Sequence, residues 1–112
     1  TVDNLAAVNV AVLGSFIRQN PLFSPAGTNA DFIQVTGPGS LSIRTYERGV
    51  EAETLACGTG IVAAALVAEK LGRVHSPVRV KTAGGDILEV STAPLTLTGP
   101  TEHVFQGEVD YR

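Results

Sequence analysis

The chain has 112 residues, 44% of them hydrophobic and 17% charged, which is apolar enough for one folded unit and too apolar for a disordered chain. A net charge of −3 with acids and bases interspersed offers no basic stripe to neutralise phosphates, so nucleic acid is excluded as the expected partner. No apolar run reaches the ~20 residues that cross a bilayer, nothing in the first residues given reads as a secretory leader, and one cysteine forms no internal disulfide, so the cytoplasm is the expected compartment.

Val8, Val12, Leu13, Phe16 and Ile17 recur at helical spacing and predict a first helix with that stripe against the core. Asn9 is placed to cap it. Asn20-Pro21 should end it, since proline disfavours helical geometry in the residue before it, and an irregular loop follows to Gly27. Asp31 to Val35 and Leu41 to Tyr46 read as strands joined by the turn Thr36-Gly37-Pro38-Gly39-Ser40, and their alternation gives a hairpin with two mixed faces. Gly58 to Leu71 reads as a helix that is apolar all round through Ile61 to Ala68. Such a helix is expected to be buried on every side, its alanines admitting strands closely, with Gly72 as its stop. Val78 to Thr82 and Ile87 to Val90, joined by Ala83-Gly84-Gly85-Asp86, are further strands, followed by Leu95 to Thr98 and Val104 to Val109. The implied fold is α+β, a curved and mostly antiparallel sheet wrapped around a central buried helix.

Chemistry concentrates where Ala56-Cys57-Gly58-Thr59-Gly60 leads into the second helix. The first backbone N–H groups of a helix lack internal partners and carry the positive end of the macrodipole, so glycines there let a carboxylate or phosphate sit directly on the peptide groups. The same field favours thiolate over thiol, the form in which a cysteine acts as base or nucleophile. The competing reading is that Cys57 is a small core side chain, as most lone cysteines are. A nucleotide site is disfavoured, because the stretch lacks the spacing and lysine of a P-loop and the third glycine of a dinucleotide fingerprint. Glu47 and Arg48 leave a strand toward this helix, and Glu51 and Glu53 precede the cysteine. Such charges are commonly a solvated face, but one carboxylate for an ammonium and one guanidinium for a carboxylate would suit an amino acid. Asn29 reads as a turn residue. His75 and His103 have no metal-compatible partners nearby, so both are placed on the surface and no metal is expected.

Tyr46-Glu47-Arg48-Gly49-Val50-Glu51 followed by Glu53-Thr54-Leu55-Ala56-Cys57-Gly58-Thr59-Gly60 resembles the second catalytic segment of diaminopimelate epimerases. Pro25 to Phe32 is similar to the family's Gly-Thr-Asn segment, and Thr82-Ala83-Gly84-Gly85 and Leu97-Thr98-Gly99-Pro100 to two of its later turns. The likeness spans nearly the whole chain but only the family's second half. It implies an enzyme that interconverts the LL and meso forms of 2,6-diaminopimelate without a cofactor, using two cysteines on opposite faces of the α-carbon, one from each of two similar domains. Carried over by motif, Cys57 is one of the pair. Gly58 and Thr59 would bind the α-carboxylate, Glu47 the α-amino group, and Arg48 and Asn29 the distal end. The other cysteine segment has no counterpart here, and Asn20 stands where the family often has histidine. The chain opens on Thr1 and contains no Met, and is read as a C-terminal domain, residues 1–112, of a longer two-domain protein. In the family the last strand completes the first domain's sheet, so residues 104–111 are expected to belong to that missing domain, or to pair between two copies in a homodimer. The alternatives are a module that binds an amino acid or other carboxylate without catalysis, another cofactor-free amino-acid racemase, and a structural domain with an inert cysteine.

Overall fold

The computed structural model describes residues 1–112. Helix α1 spans Val10–Arg18 and α2 Gly58–Lys70, with six strands at Ala30–Gly37 (β1), Ser40–Glu47 (β2), Ala52–Thr54 (β3), Val78–Lys81 (β4), Ile87–Thr92 (β5) and Leu95–Thr98 (β6). The α+β class and the predominantly antiparallel sheet are as the sequence implies. Antiparallel pairings join β1 to β2, β2 to β3, β4 to β5 and β5 to β6, while β2 and β4 run parallel. One edge of β2 is shared: β4 pairs with its first half, at Ser40 to Ser42, and β3 with its second, at Thr45 to Glu47.

Period-two alternation assigns the two faces of this sheet. On one, Ile33, Leu41, Ile43, Val78, Val80 and Val90 meet Ile61, Ala64, Ala65 and Ala68 of α2 in the main core. On the other, Ala30, Phe32 and Tyr46 form a second cluster with Leu5 and Val10 of the N-terminal segment and α1. Expectation allowed one core, and the chain builds two small ones, because both faces of its central hairpin carry apolar side chains. Arg44 locks the second. Its Nε and Nη2 donate to both Glu53 carboxylate oxygens at 2.6 and 2.8 Å, and its Nη1 donates to the carbonyls of Leu5 and Val8 at 3.0 and 2.9 Å. That fork also explains β3, absent from the sequence reading: three residues with an acid at their centre carry little strand signal, and it is the tie from Glu53 back to β2 that holds them.

Asn9 caps α1 as expected, its side-chain oxygen accepting from the Val12 N–H at 3.2 Å. The predicted stripe is different. Val10 and Gly14 are buried, and Val8 and Ile17 partly so, whereas Val12, Leu13 and Phe16 face outward, Phe16 at 72% exposure. Gly14 decides this, because a Cβ on it would fall inside the Tyr46 side chain, so the helix approaches the sheet along the one line where it has no side chain. After α1, Pro21–Phe23 forms a single 3-10 turn within the expected loop.

Helix α2 ends as predicted. Gly72 takes φ +71°, with the Gly72 N–H donating to the Glu69 carbonyl at 2.8 Å and the Arg73 N–H to the Ala68 carbonyl at 2.9 Å, a glycine C-cap. Its all-round burial is not realised in this chain. The sheet covers the stripe Gly60, Ile61, Ala64, Ala65 and Ala68, while Ala63, Leu66 and Val67 are exposed. Strands β1, β2, β4 and β5 cover one side of a helix whose other side is equally apolar. The strand expected over Val104 to Val109 does not form within this chain; residues 99–112 carry no regular structure, and Val104, Phe105, Val109 and Tyr111 are exposed. No helix is long and apolar enough to cross a membrane.

Candidate active site

Cys57 is the N-cap of α2, with extended backbone and its carbonyl accepting the first helical hydrogen bond, from Ile61 N–H at 2.9 Å. The N–H groups of Gly58, Thr59 and Gly60 therefore precede the first internal bond of the helix and have no partner within it. The thiol caps nothing and is buried at 9% exposure. Two polar groups stand around its sulfur: the Thr59 hydroxyl at 3.5 Å and the Asn29 side-chain N–H donor at 3.8 Å.

Asn29 connects this helix end to the turn after β2. Its side-chain carbonyl accepts the Arg48 backbone N–H at 2.8 Å, and the Arg48 guanidinium donates to the Ala26 carbonyl at 3.2 Å. The turn is held from behind by Glu51, which has φ +58°, an unusual conformation for a side chain. Glu51 accepts from Gly49 N–H at 3.0 Å, Arg18 Nε at 2.8 Å and the Tyr46 hydroxyl at 3.4 Å. The Gly49 N–H and then the Arg18 side chain hold its carboxyl below the usual carboxylate range.

Asn29, Arg48 and Thr59 line one cleft of about 340 Å³ together with Gly27, Thr28, Asp31, Gly60 and Ala63. That is the size of a small-ligand site. Gly58 and Thr59 border a neighbouring apolar groove with Val62, Leu66 and Leu97. Of the residues picked out in the sequence, the structure thus gathers Asn29, Arg48, Cys57, Gly58 and Thr59 around one helix end. Glu47 is not among the lining residues. It closes β2 opposite Ala52, and alternation places it on the α2 face of the sheet, beyond Thr45. Cys57 is not a lining residue either, but its sulfur contacts two that are, Asn29 and Thr59. His75 and His103 are exposed, as expected, and no three His, Cys, Asp or Glu side chains cluster as metal ligands.

One lining residue went unremarked in the sequence. Asp31 shares the helix-facing row of β1 with Ile33 and Val35, and its Oδ1 accepts the hydroxyl of buried Thr45 at 2.6 Å. A carboxylate in an otherwise apolar row was the signal available.

The family profile described as diaminopimelate epimerase matches residues 1–104. Among relatives, the diaminopimelate epimerase of Chlorobaculum tepidum is 48% identical over 113 residues, covering 96% of this chain and 44% of that protein. The diaminopimelate epimerase of Aquifex aeolicus is 42% identical over 113 residues, covering 96% of this chain and 40% of that protein. The chain therefore spans less than half the length of either relative.

Proposed function

The chain belongs to the diaminopimelate epimerase family, and on that premise we propose that it is the second half of a cofactor-independent epimerase interconverting LL- and meso-2,6-diaminopimelate, a cytoplasmic step toward lysine. The observation that carries this reading is Cys57 at the N-cap of α2, beside the unpartnered N–H groups of Gly58, Thr59 and Gly60 and within reach of Asn29 and Thr59. The N–H groups and the Thr59 hydroxyl would bind the α-carboxylate, drawing charge away from the α-carbon as its proton leaves. Glu47 would take the α-ammonium, and Arg48 with Asn29 the distal end.

The chemistry needs two cysteines. One, as thiolate, removes the α-proton while the other, as thiol, delivers a proton to the opposite face; the configuration inverts and the two sulfurs exchange protonation states. Cys57 is one partner, and the second would come from a preceding domain that covers the open apolar side of α2. Such a domain would fit both the relatives' greater length and the exposed Leu66, Val67 and Leu97.

Incubating diaminopimelate in heavy water tests the proposal. The full-length gene product should incorporate deuterium at the α-carbon, and Cys57→Ala should slow it by on the order of 10³-fold. The 112-residue chain alone should show no exchange. Normal turnover by the isolated chain would overturn the two-cysteine mechanism, and tight binding without exchange by the full-length protein would favour a carboxylate-binding module.

A further inference from the structure

We propose that Asp31 is a specificity-determining residue of this site, receiving the second ammonium group of a substrate that is an amino acid at both ends. The inference deepens the epimerase reading and rests on it. Asp31 and Arg48 are the two charged side chains lining the cleft beside Cys57, and they are of opposite sign. A zwitterionic amino-acid terminus presents one carboxylate and one ammonium a few bonds apart, and this cleft offers one group for each.

The carboxylate of Asp31 is held in place. Oδ1 takes the Thr45 hydroxyl at 2.6 Å, and Thr45 is buried in the strand pair that sets its register opposite Asp31. The carboxylate lies against the Cα of Gly60, where a Cβ would stand 2.6 Å from Oδ1 and 3.1 Å from Oδ2. Glycine at position 60 thus leaves room for an acid on the first turn of α2. No Lys or Arg donates to Asp31, and its only side-chain hydrogen bond is the one from Thr45. An incoming ammonium would supply the cationic partner that no Lys or Arg of the chain provides.

The experiment uses the full-length enzyme and two ligands that differ at one group. Diaminopimelate carries the distal ammonium; 2-aminopimelate keeps the reacting amino-acid end and the distal carboxylate but lacks it. Asp31→Asn is nearly isosteric, and its side-chain oxygen can still accept from Thr45. The expected result is a KM for diaminopimelate raised about tenfold or more, with the inhibition constant of 2-aminopimelate changed less than about threefold. An equal loss for both ligands would reduce Asp31 to a structural role, and no loss for either would remove it from the site. Asp31→Ser, checked by circular dichroism, should repeat the ligand-selective loss without the side chain's shape. Wild-type enzyme that fails to epimerise diaminopimelate would overturn the epimerase reading itself, which separates that failure from a failure of Asp31.

Discussion

The Arg48 backbone N–H donates to the side-chain carbonyl of Asn29 across 2.8 Å, joining residues 19 apart in sequence. The same amide presents its N–H donor to the Cys57 sulfur at 3.8 Å, so one side chain sets the position of the β2 turn relative to the cysteine. Asn29→Ala should therefore loosen the turn. A neutral hydrogen bond is worth about 0.5–1.5 kcal/mol, so stability of the 112-residue chain should fall by about that much, and in the epimerase proposed above kcat/KM should fall roughly two- to tenfold at least. Unchanged kinetics would mean that Arg48 is placed by its contact to Ala26 alone.

Gly14→Ala offers a test whose sign is diagnostic. In an isolated helix alanine is better than glycine by about 1 kcal/mol. Here the added methyl would collide with Tyr46, and overpacking of that kind costs about 1–3 kcal/mol. Denaturant unfolding should show net destabilisation; a stabilised variant would disprove the close approach of α1 to the sheet.

Acid should weaken the domain through Glu53. Its hydrogen bond from Arg44 is the largest influence and lowers its carboxyl from the ordinary value of 4.5, burial opposing this and the charge of Arg44 adding to it. A depressed folded-state value means that the contribution is complete above the unfolded-state value and is lost as pH falls through the lower one. Glu53→Gln should cost at most about 1 kcal/mol at pH 7, with the gap between variant and wild type closing below about pH 4. A gap that does not narrow at all as pH falls below 4.5 would point to packing rather than charge.

The end of the chain should behave as a separate part. Residues 104–112 leave Val104, Phe105, Val109 and Tyr111 exposed, and apolar extended segments readily recruit another chain. The isolated chain should sediment as a concentration-dependent dimer, and deletion from Val104 onward should give a monomer with its helical circular dichroism intact. Loss of the helix signal, or an oligomer that survives deletion, would refute this.

What this sequence determines by itself is local. Asn9 before Val10, Gly72 after Leu71 and Cys57-Gly58-Thr59-Gly60 at a helix start act within one turn of backbone, so the cap, the stop and the start of α2 were legible residue by residue. The alternating hairpin from Asp31 to Tyr46 was legible for the same reason, since period two is a property of each strand alone. Tertiary structure decided which side of each element is covered. The apolar residues of α1 fit two different stripes, and only the shape of Tyr46 opposite Gly14 selects the one that is buried. For α2 every side is apolar, so periodicity carries no direction, and the side the sheet covers depends on the parallel pairing of β2 with β4, a contact between residues some forty positions apart. Asp31 entered the site by that same placement: a strand residue becomes part of a cleft only once α2 lies over its face, because a side chain's chemistry is set by neighbours that its own segment does not specify.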